Sequence, residues 1–142
     1  MKKMIALVAI SVVLSGCVRS GANNTTVKAE QLMQHRFVLG SVNGQAVDAG
    51  DHPPEIRFDK EMKVSGSMCN RFSGQGKLSE GKLTVKNMAM TRMMCIQDQL
   101  NALDNTLGNM LSKGAQVDLT GNQLTLITAD QTLIYTLADK AQ

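Results

Sequence analysis

The sequence predicts an α+β domain: a curled antiparallel β-sheet around one main α-helix over about residues 96–113, with a short helix near its start. Three observations lead there. Apolar residues recur with period two in short runs, as at Ile56 and Phe58, Leu83 and Val85, and Leu124 and Leu126. Turn residues separate those runs at the spacing of an all-antiparallel sheet. Between Ile96 and Lys113 the period becomes helical, and only there over any length.

The first stretch does not read as fold. Lys2 and Lys3 form a cationic head, and Met4–Leu14 is an apolar run of eleven residues. That length suits the core of a secretory signal, whereas a membrane span needs about 20 residues. Residues 1–16 are therefore expected to be removed. Cys17 to Thr26 is expected to be a flexible tether, polar and small from Ser20 onward. Residues 27–142 are left as one domain.

Within the domain, Lys28–Arg36 is expected to form the short helix. Phe37-Val38-Leu39 starts a strand, and Asn43-Gly44 is a hairpin signal because both residue types tolerate positive φ. Pro53 and Pro54 mark a loop. Ile56 and Phe58 form a half-buried strand. After a turn at residues 59–61, Met62, Val64, Gly66 and Met68 keep the same period. Gly74 and Gly76 punctuate the next stretch. Glu80-Gly81 turns the chain into Leu83 and Val85, with Met88 and Met90 extending that side. Ile96, Leu100, Leu103, Leu107, Met110 and Leu111 make the helical stripe. Gln97, Asn101, Asp104 and Asn105 are expected on the opposite face. Lys113 suits the last turn and Gly114 the stop. Val117 and Leu119, then Leu124 and Leu126 after Gly121-Asn122, and finally residues 132–137 read as three closing strands. With three Phe, one Tyr and no Trp, the core must be filled by Leu, Val and some of the ten Met.

Leu14-Ser15-Gly16-Cys17 resembles the lipobox of bacterial lipoproteins. The resemblance implies that Cys17 carries diacylglycerol, becomes the new N-terminus and is then N-acylated. Several acyl chains on one residue make a durable anchor, because each buried CH₂ adds about 0.8 kcal/mol. Val18 stands where Asp would imply retention at the inner membrane. The implied place is the outer membrane, with the domain facing the periplasm and its membrane contact made through Cys17. Without Lys2 and Lys3, 13 basic side chains face 12 acidic ones. No basic stripe or aromatic platform remains, so nucleic acid is not an expected partner.

Cys69 and Cys95 would then meet an oxidising compartment, where an even pair is read as a disulfide. Two buried free thiols are the alternative.

Gly66-Ser67-Met68-Cys69-Asn70-Arg71-Phe72-Ser73-Gly74, followed by Thr91-Arg92-Met93-Met94-Cys95, resembles the META domain family. The resemblance runs from about residue 27 to the end. It implies a compact barrel-like domain with Cys69 and Cys95 brought together. It also implies a part in tolerance of heat shock, envelope stress or drugs, and no enzymatic activity. The implied fold is similar to that of lipoproteins that escort secretin subunits, an analogy of fold and not of site. The alternative function it suggests is a lipid-binding or partner-escort module, with an envelope protein or lipid as partner.

No catalytic residues are expected. Ser79 and Lys82 match Ser-x-x-Lys, but in a turn and without the companion motifs of a β-lactamase. No cofactor motif is present. His35 and His52 have no partner at helical spacing, so no metal site is expected from them. The methionines at 68, 88, 90, 93 and 94 read as filler, with soft Cu(I) ligation as the alternative. Asn70, Arg71, Gly74, Thr91 and Arg92 are the motif residues whose role is either a structural turn or recognition. Asn70 in particular suits a tight turn in which its amide bonds nearby backbone.

Overall fold

A computed structural model describes residues 26–47 and 51–140. The expected signal, Cys17 and nearly all of the tether lie outside those residues. The described chain forms α1 (Ala29–Leu32), β1 (His35–Val42), β2 (Gln45–Ala46), β3 (Glu55–Phe58), β4 (Lys63–Ser67), β5 (Arg71–Ser79), β6 (Lys82–Met90), α2 (Asp98–Lys113), β7 (Ala115–Thr120), β8 (Gln123–Ile127) and β9 (Thr132–Lys140).

All the strand pairings are antiparallel. The sheet order is β9-β8-β7-β6-β5-β4-β3-β1-β2, and β9 also pairs with β1. That last pairing closes eight strands into a barrel and leaves β2 as a short flap. Closure removes sheet edges, which otherwise invite aggregation. One seam is incomplete: β6 pairs with β7 only through Lys82–Gln116 and Leu83–Ala115. Helix α2 packs beside β6. It buries Leu100, Leu103, Leu107, Met110 and Leu111.

Alternation decides which side chains enter the barrel. Phe37 and Leu39, Ile56 and Phe58, Val64, Phe72, Leu83 and Val85, Leu124 and Leu126, and Leu133 and Tyr135 are all buried. The rings of Phe37 and Phe58 meet edge to face at 6.1 Å. The interior is thus filled by side chains.

The two-residue turns form as their sequences require. Asn43 and Gly44 both have positive φ, as do Glu80 and Gly81. Between Val85 and Met88 the inward parity switches from odd to even positions. Asn87, at φ 57°, supplies the extra residue of a β-bulge there. Gly74 lies opposite this bulge. A Cβ on Gly74 would come within 2.6 Å of a Val85 methyl and 2.9 Å of the Lys86 carbonyl oxygen. Gly74 is a packing requirement of the fold.

Three expectations need correcting. A helix over residues 28–36 does not form; one turn stands at Ala29–Leu32, and His35 and Arg36 already belong to β1. Gln34 adopts φ 66° and donates its N–H to the Phe58 carbonyl at 2.7 Å, so sheet pairing ends the turn. The main helix starts at Asp98, and Ile96 is 98% exposed instead of joining the apolar stripe. Asp104 lies on the buried face, not the solvent face.

Tyr135 is fully buried, and its hydroxyl has no hydrogen-bond partner among the described residues. Burial pushes its phenol pKa above the ordinary value of 10.0. An unsatisfied buried hydroxyl costs about 1–3 kcal/mol. Tyr135→Phe should therefore hold or raise stability, by up to that amount, in urea denaturation. Above pH 10 the unfolded chain releases the phenol proton and the folded chain keeps it, so native stability falls as pH rises. Tyr135→Phe should show a shallower loss of stability between pH 10 and 11.

Candidate functional site

The motif residues converge at the end of the barrel where β4 turns into β5 and where β6 leaves the sheet. The corner Met68-Cys69-Asn70 is buried. Its backbone closes through the Met68 N–H, which donates to the Asn70 carbonyl at 3.1 Å. Facing it is the segment of residues 91–97 that leads into α2.

Asn70 organises the contact. Its side-chain carbonyl oxygen accepts from the Thr91 hydroxyl at 2.8 Å and from the Met93 N–H. Its amide NH₂ donates to the Met93 carbonyl at 3.1 Å and to the Asp104 carboxylate at 2.7 Å. All the bonding capacity of a buried amide is used. Thr91 completes the frame: its hydroxyl also accepts the Arg71 N–H at 3.1 Å, and its own N–H donates to the Arg71 carbonyl at 3.0 Å.

Asp104 reaches this corner from α2. One carboxylate oxygen accepts the Cys69 N–H at 3.1 Å and the Asn70 N–H at 3.0 Å, while the other takes the Asn70 amide. A buried charge is tolerated when hydrogen bonds satisfy it, and here three N–H donors do so. The sulfurs of Cys69 and Cys95 are bonded, with Cα atoms 5.7 Å apart. Asn101, one turn before Asp104, holds Cys95 from below. It accepts the Cys95 N–H at 3.0 Å and donates to the Cys95 carbonyl at 2.9 Å.

The motif residues thus divide. Cys69, Asn70, Thr91 and Cys95 meet in one node, and Gly74 supports the neighbouring bulge. Arg71 contributes its backbone to the node, but its side chain lies exposed on the outer wall. Arg92 is exposed, with no partner among the described residues. Asp104 and Asn101 escaped the sequence reading. A signal for Asp104 did exist: it stands four residues after Leu100 and three before Leu107, on the apolar stripe itself.

The polar groups of the node bond one another. Both cysteines are bonded and the carboxylate is fully engaged. Ser79 and Lys82 merely face each other across the β5–β6 hairpin. Among the described residues no group of three His, Cys, Asp or Glu is arranged to hold a metal ion. The methionines differ in burial: Met68 is buried, Met88 and Met90 are half-buried, and Met93 and Met94 are 60% and 87% exposed. The last two are not core filler.

Asn70→Ala would strand the Met93 N–H and part of Asp104. It should lower stability by about 2–4 kcal/mol and speed exchange of the Met93 amide, read by hydrogen exchange. Reduction of the Cys69–Cys95 bond, which spans 26 residues, should cost about 3 kcal/mol by restoring loop entropy to the unfolded chain. Equal urea midpoints with and without reductant would contradict this.

Comparison with known proteins agrees with this architecture. The chain is 61% identical over 139 residues to "Heat shock protein HslJ" of Escherichia coli (strain K12), covering 98% of each chain. A solution NMR structure with 66% identity covers 80% of this chain and 97% of its own, at a TM-score of 0.76. A second NMR structure, from Burkholderia xenovorans, is 20% identical at a TM-score of 0.64; it covers 89% of this chain and 99% of its own, and is alike in fold alone. The META domain pattern matches residues 30–140, nearly all of the described barrel, and the chain belongs to the META domain family.

Proposed function

We propose that this chain is a non-enzymatic lipoprotein, anchored through Cys17 in the bacterial outer membrane, whose META domain protects the envelope during heat or chemical stress. The observation that carries this reading is the 61% identity, over 98% of both chains, to a protein named for heat shock. The lipobox-like Leu14-Ser15-Gly16-Cys17 supports the anchor. The node supports the non-enzymatic part, because the groups that could do chemistry are bound to one another. No cofactor enters the proposal.

Three measurements test it. Intact mass of protein extracted from membranes should show loss of residues 1–16 and a gain of lipid mass. Cys17→Ser should move the protein to the soluble fraction. A deletion strain should lose viability after heat challenge at least several-fold, with rescue by the parent gene and not by Cys17→Ser. Normal survival of the deletion strain would refute the protective role.

A second reading, a lipid-binding or partner-escort module, is favoured by one observation. Met93, Met94 and Ile96 are 60%, 87% and 98% exposed, yet Asn70, Asn101 and the disulfide hold their backbone in place. Clustered exposed apolar side chains on a fixed loop are a feature of docking surfaces. A bound acyl chain or protein would have to use this outer surface, since the barrel interior is filled. The double variant Met94→Ser, Ile96→Ser should keep the parent melting temperature within about 2 °C, since surface changes are worth roughly 0.5 kcal/mol. On this reading it should also lose stress protection; full protection by the variant counts against it.

A further inference from the structure

The outer wall of β3–β6 carries a trough of about 640 Å³ that borders the node at Arg71 and Thr91. Two rungs of the sheet form its floor. Arg57, Ser65, Ser73 and Ala89 lie side by side across the four strands, and Glu55, Ser67 and Arg71 form the next rung. All line the trough. Facing pairs on such rungs sit about 5 Å apart, so these groups share one short patch of surface. The small serine side chains between Arg57 and Arg71 form the low part of this outward-facing surface.

The hydrogen-bond bookkeeping of the patch is lopsided. The hydroxyls of Ser65, Ser67 and Ser73 make no bond to any described residue, and Arg71 has no carboxylate partner among them. Glu55 is the one acidic group lining the trough. Its two oxygens are each bound at 2.6 Å, one by Arg36 and one by Arg57. Burial opposes its ionisation most strongly, but the hydrogen bonds and charges of Arg57 and Arg36 together outweigh that and lower its pKa. Its charge is thereby compensated. Arg57 keeps further N–H donors, with 43% of its side chain exposed.

We propose that this trough binds a phosphate group, with Arg71 as its main cationic contact, Arg57 as the second, and Ser65, Ser67 and Ser73 as hydroxyl donors. Two guanidinium forks and three hydroxyls offer more donors than the roughly four lone-pair sites of a carboxylate can accept. They match the three oxygens of a phosphomonoester, which arginine recognises in bidentate fashion. The phosphate comes either from a soluble phosphomonoester or from an anionic lipid headgroup. The site is independent of the proposed stress role.

The test titrates the folded, disulfide-intact Cys17→Ser protein, which carries no acyl chain, with glycerol 3-phosphate and, separately, with vesicles of phosphatidylcholine containing phosphatidic acid. Amide NMR shifts should change at Ser65, Ser67, Arg71 and Ser73 in the soluble titration, or the protein should float with the anionic vesicles and not with phosphatidylcholine alone. The first result assigns a soluble source and the second a headgroup; either supports the site. Arg71→Ala should weaken the observed binding at least tenfold, and Arg71→Lys less. Arg92→Ala, an exposed cation outside the trough, should change it less than twofold. Ser67→Val, which removes a hydroxyl while keeping a strand-forming side chain, should weaken binding at unchanged melting temperature. Absence of binding in both titrations overturns the proposal. So does equal weakening by Arg71→Ala and Arg92→Ala, which would mean diffuse charge attraction.

Discussion

One buried carboxylate holds the main helix to the sheet. Asp104 projects from the apolar stripe of α2 into the corner at Cys69-Asn70 and takes three N–H donors there. A carboxylate left unsatisfied in that position would cost several kcal/mol. Charge-assisted hydrogen bonds return about 1.5–3 kcal/mol each, so only one docking of the helix is tolerated. A slip of one turn would bury the charge against leucines. Hydrophobic contact supplies attraction between α2 and the sheet, and Asp104 supplies the register. The Cys69–Cys95 bond acts at the same place by another mechanism, since it removes conformations from the unfolded chain.

This constraint explains why the barrel tolerates an incomplete seam. Only two residue pairs join β6 to β7, and α2 lies beside β6 where further pairs are missing. An unpaired stretch of strand is a liability unless something covers it. The helix can cover it only if the segment of residues 91–97 is fixed, and Asn70, Thr91, Asn101 and the disulfide fix it. The Cys-Asn and Thr-x-x-x-Cys motifs are therefore signatures of closure. They identify a fold; a function has to be argued separately from a site.

The same physics decides what could be read from the sequence. Strands declared themselves wherever one face was buried, because alternation survives in Ile56 and Phe58 or in Leu124 and Leu126 whatever the partner strand is. The turns at Asn43-Gly44 and Gly121-Asn122 were equally plain, being local. The family resemblance implied a barrel-like form, but the pairing that closes it was not legible, since it depends on β9 meeting β1 about a hundred residues earlier in the chain. Ile96 misled because helical spacing cannot distinguish a stripe residue from one just outside the helix, where Asn101 has already claimed the backbone of Cys95. Asp104 misled in the opposite sense: its polarity argued for solvent, and its position argued for the core. The trough was invisible for a simpler reason. Its serines and arginines come from three strands, and no single segment shows more than an ordinary polar face.

Geometry also separates the two ends of the domain. Thr26, the first described residue, lies by the β5–β6 hairpin, where a Cβ on Gly81 would sit 3.4 Å from its methyl group. Strand β6 then runs nine residues from Lys82 to Met90, about 27 Å at the usual rise, before the exposed Met93–Ile96 loop and the near end of the trough. If the chain is anchored at Cys17 as proposed, it enters at one pole and displays its apolar loop at the other. The nine residues from Cys17 to Thr25 can span at most about 32 Å, barely more than the length of β6. On the proposed anchoring, an upright domain presents loop and trough away from the membrane, where a soluble ligand meets them freely. A headgroup of the anchoring membrane reaches them only if the domain lies over on a nearly extended tether. Lengthening that tether should ease a membrane contact and leave a soluble one unchanged, so its length bears directly on which phosphate the trough can meet.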